Sequence, residues 1–401
     1  MKNQKISLYL LMFLLSFGVI FIGCDDDDDN KPVNPTNIEE MALSSEWNTY
    51  LVAAASELYT DCISLWAAWN GPDGLSSEEK ERIGANFFTT NASRIGANGY
   101  AALFSAAGPS NPFESLSSQQ EAIEMIINDG CIAIADEVGE AKIGEPNAKA
   151  KEGKNEEAIL EVESWYSWNS ITDFADNIVS IKNSYWGGRG LSLPASSSIS
   201  AFVKSKDASL DEEVTQAIDD TYKAIKEGMA APFRNNLTGS GVNDAMEACA
   251  ALSETLQKIL PLLDGTDYNF TTTLNDYAKI VVTPTYKDMK DAAKKLYDAA
   301  VAFQSNPTQA NLNAACEAWR ANRIPWEQSE AFLFGPADVL GLDPSLDSWP
   351  LDQSGIWNVL KNIASGATVD QVIGSIQNDE VRGFHTIELL LFKDGENRKV
   401  Q

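Results

Sequence analysis

Apolar residues recur along much of the chain at alternating spacings of three and four positions. The two clearest runs are Leu51, Ala55, Leu58, Cys62, Leu65 and Trp69, and Tyr286, Met289, Ala293, Leu296, Ala300 and Phe303. This spacing places the apolar side chains on one face of an α-helix, the face that packs inside a bundle. Further helices are predicted near residues 78–106, 117–140, 156–182, 211–228, 242–263, 307–323 and 384–393. Alternating β-strand patterns are essentially absent, so the sequence predicts an all-α fold.

A polar segment at residues 262–273, which contains Gly265, separates the helical pattern into two blocks. We therefore predict two four-helix-bundle-like domains, residues 44–264 and residues 265–401. Two long loops are predicted within them, at residues 185–198 and 335–352. Long loops in a helical protein are often functional or mobile.

The N-terminus has the pattern of a bacterial secretion signal. Lys2 and Lys5 precede an apolar run at residues 6–22, and the sequence FIGC at residues 21–24 resembles a lipobox. This pattern predicts a signal peptide at residues 1–23 and lipidation of Cys24. The alternative is a single membrane anchor, since the run is close to the shortest length that spans a bilayer.

Five aspartates at residues 25–29 and a Pro/Asn-rich stretch follow Cys24, and they predict a solvated tether at residues 24–43. An acidic run at this place resembles the export signal of Bacteroides-type surface lipoproteins, although a plain spacer facing the periplasm would look similar. We expect an outer-membrane lipoprotein, on the cell surface or on the periplasmic face.

The composition narrows the choice of partners. Asp and Glu number 58 against 30 Lys and Arg, which gives a net charge of −28. Such a chain repels nucleic acid and favours cations. Cys62, Cys131, Cys249 and Cys316 could form up to two disulfides or remain buried thiols. One histidine and no clustered cysteines argue against a structural zinc site.

The single histidine lies in the motif GxHxxE, formed by Gly383, His385 and Glu388. On a helix, residues three apart project from the same face, so the imidazole and the carboxylate could bind one metal ion, or one could orient the other. Gly383 allows close approach of another backbone. The alternative is an ordinary histidine at a helix start, bonded to a nearby carbonyl.

Further segments accompany this motif. They are AWRANRIPWEQSE at residues 318–330, the Gly-Pro pair at 335–336, WPLD at 349–352, and YSWNSITDFADN at 166–177. Together with GxHxxE they resemble the imelysin-like family, first classed as metallopeptidases and associated with bacterial iron uptake. The resemblance implies a ligand-binding site made of Gly383, His385, Glu388, Arg323, Glu330, Asp352, Trp326, Ser167, Asn169 and Asp173. Trp326 stands where the family has tyrosine, so a phenol hydroxyl is lost.

The order of these segments differs from the usual family chain, in which GxHxxE lies in the first half. Here the usual order would be residues 277–396 followed by residues 46–260. We therefore predict a circularly permuted imelysin-like topology, which a compact fold with adjacent termini tolerates. The two ends of the folded region should then lie close together.

The donor set indicates the kind of ligand. His385, Glu388 and Glu330 would give one nitrogen and several oxygens, which suits iron, calcium or manganese better than zinc. A zinc peptidase usually presents two histidines. We therefore predict a non-enzymatic binding protein for a metal ion, iron or another divalent cation, or for an iron-containing ligand, with the site at the domain interface. Iron uptake, together with an outer-membrane uptake partner, is what the resemblance implies.

Two alternatives remain open at this point. One is a metallopeptidase that uses His385 and Glu388. The other is a surface scaffold in which the GxHxxE motif has only a structural role, because buried polar bonds can hold a bundle together.

Overall fold

The computed structural model describes residues 44–400. The predicted signal peptide, Cys24 and the tether lie outside the described residues. Among those that are described, no helix is both long enough and apolar enough to cross a membrane.

The prediction of an all-α fold is confirmed. The α-helices of the first half are α1 Ser45–Asn70, α2 Ser77–Ile83, α3 Phe87–Ile95, α4 Tyr100–Ser105, α5 Gln119–Met125, α6 Ala133–Asp136, α7 Glu145–Lys151, α8 Asn155–Leu160, α9 Ser170–Trp186, α10 Ile199–Lys206, α11 Ala208–Lys223 and α12 Val242–Gln257. Those of the second half are α13 Thr271–Asp276, α14 Thr283–Ser305, α15 Gln309–Glu327, α16 Pro336–Val339, α17 Leu342–Asp347, α18 Gln353–Ala364, α19 Val369–Ser375 and α20 Gly383–Leu391.

Shorter elements connect these helices. Wider π-helical segments extend or join several of them, at Ile126–Ile132, Glu137–Gly144, Ala224–Gly228 and Tyr277–Val282. Short 3₁₀ helices lie at Glu114–Leu116, Phe233–Asn235, Leu260–Leu263, Glu330–Phe332 and Asp379–Val381. Two short strands, β1 Phe392–Lys393 and β2 Glu396–Asn397, pair antiparallel after α20.

The long helix α14 packs along both α1 and α15, and these three helices form the centre of the fold. All residues of the two apolar runs are buried, from Leu51 to Trp69 on α1 and from Tyr286 to Phe303 on α14. Each run removes its apolar face from water, which is the main source of stability of a bundle. The periodicity thus identified the central helices correctly.

Three of the predicted elements are wrong in detail. The helix predicted near residues 156–182 is two helices, α8 and α9, with a turn segment at residues 161–169 between them. The helix predicted near residues 78–106 is three short helices, because Gly84 and Gly96, both with positive φ, end α2 and α3. The loop predicted at residues 335–352 contains α16 and α17. The boundary predicted at residues 262–273 falls where the Leu260–Leu263 helix gives way to non-helical chain before α13, and the division into two domains stays a prediction.

The two ends of the described chain lie together, as expected. The guanidinium carbon of Arg398 is 4.5 Å from the centre of the Trp47 ring at the start of α1. The Tyr50 hydroxyl on α1 donates a hydrogen bond of 2.6 Å to the carbonyl of Val381, just before α20. The first helix therefore packs beside the GxHxxE helix.

Candidate functional site

Helix α20 begins in close contact with α17. Gly383 has φ 77°, and a Cβ atom at this position would lie 2.4 Å from the carbonyl oxygen of Leu346. Only glycine accepts both this conformation and this approach. The contact places His385 of α20 next to Asp347, the last residue of α17.

His385 and Glu388 interact on one face of α20. Both side chains are fully buried, and His385 Nδ1 lies 3.1 Å from Glu388 Oε2. The other oxygen, Glu388 Oε1, accepts hydrogen bonds of 2.8 Å from the backbone N–H and 2.6 Å from the hydroxyl of Ser167. A carboxylate held this way keeps the proton on Nδ1, so Nε2 is the nitrogen available to a ligand.

His385 Nε2 faces two further carboxylates. It lies 3.0 Å from Asp347 Oδ1 and 3.8 Å from Glu163 Oε1. The contact with Glu163 is too long for a hydrogen bond, and the contact with Asp347 lacks the direction of one, so among the described residues Nε2 has no hydrogen-bond partner. One donor atom from each of His385, Asp347 and Glu163 lies within 4.8 Å of the others. The Trp349 ring packs edge-on against the imidazole at 4.9 Å.

Arg323 of α15 joins the carboxylates into one cluster. Its fully buried guanidinium group contacts Asp347 Oδ1 at 2.5 Å, Glu163 Oε1 at 2.8 Å and Asp173 Oδ2 at 3.2 Å. It also pairs with Glu327, one turn away on α15. Arg323 thus contacts four carboxylates, and Glu330 is not one of them.

Glu330 instead lies on the other side of the cluster, near Lys142. The ammonium group of Lys142 is 3.7 Å from Glu330 Oε1 and 3.1 Å from Glu163 Oε2. Glu330 can also converge with Glu327 and Asp347, since one oxygen of each lies within 4.8 Å of the others. Glu330 is therefore part of the acidic cluster, but its donor atoms do not group with those of His385.

Carboxylates outnumber fixed cations in this buried cluster. The carboxylates are Glu163, Asp173, Glu327, Glu330, Asp347 and Glu388, and the cations are Arg323 and Lys142. A buried surplus of negative charge is costly, so the cluster should take up protons or a cation.

The pKa values reflect this surplus. Burial lowers the pKa of His385, but the negative charge of the Asp347 carboxylate close to Nε2 and the contact of Nδ1 with Glu388 outweigh this effect and raise the pKa to about 10. Burial raises the pKa of Glu327 and of Glu330 well above the usual range, and that of Asp173 to about 6. Burial opposes ionisation of Asp347 as well, but Arg323 and His385 hold its pKa well below the ordinary value.

The remaining predicted residues have supporting positions. The Asn169 amide donates to Asp173 Oδ1 at 2.5 Å, and the Trp326 indole N–H donates to Asp347 Oδ2 at 2.5 Å. Asp352 accepts a hydrogen bond of 2.9 Å from the Gly355 N–H and caps the start of α18. Within residues 44–400 no contact joins Asp352 to the acidic cluster.

The sequence did not single out Glu163, Asp347, Glu327 or Lys142. Glu163 lies three residues before the YSWNS segment, Asp347 lies two residues before WPLD, and Glu327 lies inside the 318–330 segment. Their closeness to the family segments was the available signal. Nothing in the sequence around Lys142 points to the site.

Comparison with known proteins agrees with the motifs. The family model described as Imelysin (Peptidase M75) matches residues 26–259 and 282–401. The crystal structure of an imelysin peptidase from Bacteroides ovatus is 36% identical, with a TM-score of 0.76, over 93% of this chain and 99% of that chain. The iron-regulated protein A of Synechococcus elongatus is 41% identical over 120 residues, which cover 30% of this chain and only 31% of that relative.

Proposed function

Because the chain belongs to the imelysin family, we propose that it is an extracytoplasmic, non-enzymatic binding protein for a metal ion, iron or another divalent cation. His385, Glu163 and Asp347 would bind the ion directly. The partial similarity to a relative named iron-regulated protein A supports iron as the bound metal and a link to iron uptake. An iron-containing ligand would use the same residues.

The observation that carries this proposal is the state of His385 Nε2. A buried polar atom without a hydrogen bond costs free energy, and native proteins seldom leave one in that state. Here the nitrogen points into a group of carboxylate oxygens, while Glu388 orients the ring from the opposite side. Although Arg323 already contacts Asp347 and Glu163, each carboxylate oxygen has a further lone pair for a metal ion. One nitrogen among oxygens suits iron or manganese.

The position of the site in the chain fits the predicted domain organisation. Glu163 comes from residues 44–264, whereas Asp347 and His385 come from residues 265–401. An ion bound by all three would link the two predicted domains, and domain interfaces are common places for ligand sites.

We place the protein at the outer membrane, anchored through acylated Cys24 on the cell surface or the periplasmic face. The basic, apolar and FIGC segments of residues 1–24 support an exported lipoprotein. The tether at residues 24–43, which contains the acidic run at residues 25–29, would keep the binding domains away from the anchor. An uptake partner in the same membrane would receive the ion.

Two aspartates of the same helix provide a matched test. Asp347→Asn removes a proposed ligand, whereas Asp343→Asn, one turn earlier on α17, removes a carboxylate outside the proposed ligand set. Anaerobic titration of Fe²⁺ should show binding to the wild type and to Asp343→Asn. Binding to Asp347→Asn should be at least about tenfold weaker, because even residues that only support metal ligands typically change affinity by that much. Equal affinities of the two variants would contradict the proposal.

One observation favours the alternative of a metallopeptidase: the similar protein from Bacteroides ovatus is described as a peptidase. Against it, the side chains of His385 and Glu388 are fully buried, so a peptide bond would have to enter the core to reach them. Proteolysis that a chelator stops and that Glu388→Ala abolishes would favour this alternative. No proteolysis by the metal-loaded protein is the expected result.

A further inference from the structure

The carboxylates around Lys142 are arranged like the ligands of a cation site and not like the single partner of an ordinary ion pair. Its side chain is 9% exposed and comes from the π-helical segment Glu137–Gly144. The ammonium nitrogen is 3.1 Å from Glu163 Oε2, 3.7 Å from Glu137 Oε1 and 3.7 Å from Glu330 Oε1. Several carboxylate oxygens around one small charge are what a hard divalent cation also requires.

Glu163 connects this position to the proposed metal site. Its Oε1 lies 2.8 Å from Arg323 and 3.8 Å from His385 Nε2, while its Oε2 faces Lys142. A single carboxylate therefore separates the place of the proposed ion from the ammonium group. Carboxylates that bridge two neighbouring cations in this way are typical of two-metal sites.

We infer that the Lys142 ammonium group permanently occupies a second cation position and thereby restricts the cluster to one exchangeable metal ion. The existence and the location of that exchangeable ion rest on the proposed function, whereas the exclusion of a further ion by Lys142 does not. The ammonium is a compact point charge on a flexible stem, so it can fill such a position without demanding a metal's geometry. Lys142 is in this account a residue that determines stoichiometry and selectivity, and it is not itself a ligand of the exchangeable ion.

The neutral variant Lys142→Met removes the ammonium group and so tests the inference. Without the ammonium, Glu137, Glu163 and Glu330 would surround an uncompensated buried position. Burial and the neighbouring carboxylates would then favour a divalent ion there. The variant should bind one metal ion more per chain than the wild type does.

The test is equilibrium dialysis of the full chain against Mn²⁺, followed by elemental analysis. Lys142→Arg is the charge-preserving control. Lys290→Met is the matched control, because Lys290 is equally exposed at 9% but pairs with Glu79 and Asp291, which are not members of the acidic cluster. Lys142→Met should gain one equivalent of Mn²⁺ relative to the wild type, and the two controls should gain none.

The outcomes separate the two proposals. One ion in both the wild type and Lys142→Met would overturn the inference and leave the proposed function intact. No ion in the wild type and one in Lys142→Met would support the inference and refute the proposed function. Equal stoichiometry in all the chains would overturn the inference at any value.

If Lys142→Met is less stable than the wild type, the effect of Mn²⁺ on its melting temperature still tests the inference. If the variant melts at a lower temperature without metal, Mn²⁺ should restore the melting temperature more than it raises that of Lys290→Met. A purely structural lysine predicts the same loss in both variants with no specific recovery. Absence of recovery would therefore overturn the inference.

Discussion

Glu388 contacts Nδ1 of His385, and in the proposed site it would orient the imidazole. The sequence predicted His385, Glu388 and Glu330 as metal ligands. In the structure, the oxygens of Glu388 are taken up by Ser167 and by His385 Nδ1, and the atoms that converge on Nε2 belong to Glu163 and Asp347. In the proposed site, the HxxE spacing would fix the ring, and residues distant in sequence would complete the donor set.

Removal of the Ser167 hydroxyl tests this orienting role. Ser167→Ala leaves the backbone N–H bond to Glu388 but deletes the 2.6 Å hydroxyl bond. We expect roughly tenfold weaker Fe²⁺ binding, because groups that orient a metal-bound histidine typically contribute 10- to 100-fold. Ser64→Ala on α1, which also loses a buried hydroxyl bond, should bind Fe²⁺ like the wild type. Unchanged affinity in Ser167→Ala would show that Glu388 is held well enough without it.

The local part of the site could be predicted from the sequence, and the remote part could not. His385 and Glu388 are three residues apart, so helix geometry alone brings them together. Glu163 and Asp347 reach Nε2 only through the fold. Their closeness to the family segments does not show that, among the 58 acidic residues, these two converge on the imidazole. Asp352 shows the converse, since its place in a family segment suggested a ligand, whereas its carboxylate caps α18.

At the scale of elements, the site depends on how α20 meets α17. Gly383 lets the start of α20 approach the Leu346 carbonyl, and the neighbouring residue on α17 is Asp347. The glycine of GxHxxE therefore sets the distance between His385 and Asp347. Long periodic elements such as α1 and α14 were predictable because several turns repeat the pattern. The short helices α16 and α17 were not, because they contain too few turns to show a period.

Two alanine substitutions distinguish the effect of the contact between Gly383 and Leu346 from the effect of backbone strain alone. Gly383→Ala should cost roughly 1–2 kcal/mol for its positive φ and a further 1–3 kcal/mol for the crowding against Leu346. Gly366→Ala, with φ 102° and open space around it, should show only the first cost. Denaturant unfolding gives both values. Fe²⁺ affinity should fall in Gly383→Ala alone, and equal stability losses in both variants would contradict the assigned role of the contact.

At the scale of the whole molecule, acidity extends from the surface into the core. The net charge of −28 is accompanied by a buried cluster in which carboxylates exceed cations. Burial raises the pKa of Asp173 to about 6 and that of Asp343 to about 7. The metal-free fold is thus stabilised by bound protons, and a metal ion would replace them.

This gives a pH dependence of definite sign. The pKa of His385 rises from 6.5 to about 10 on folding, so its contribution is complete below pH 6.5 and is lost as the pH rises towards 10. The raised pKa values of Asp173 and Asp343 also make the fold less stable as the pH rises, but at lower pH. The lowered pKa of Asp347 acts oppositely, but only in strong acid. The metal-free protein should therefore lose stability between pH 6.5 and 9.

Metal and proton compete for Nε2, so the rise in melting temperature caused by Mn²⁺ should grow over the same pH range. Thermal unfolding at several pH values, with and without Mn²⁺, measures both trends. His385→Gln should flatten both trends in this range. A Mn²⁺ effect that is constant with pH would indicate binding away from the histidine.

Anomalous diffraction from crystals soaked in Fe²⁺, recorded at the iron absorption edge, tests the central claim most directly. A peak should lie about 2.0–2.6 Å from His385 Nε2 and from oxygens of Glu163 and Asp347, the range of metal–nitrogen and metal–oxygen bonds. A peak bound elsewhere, or no peak with Nε2 instead hydrogen-bonded to Asp347, would contradict it.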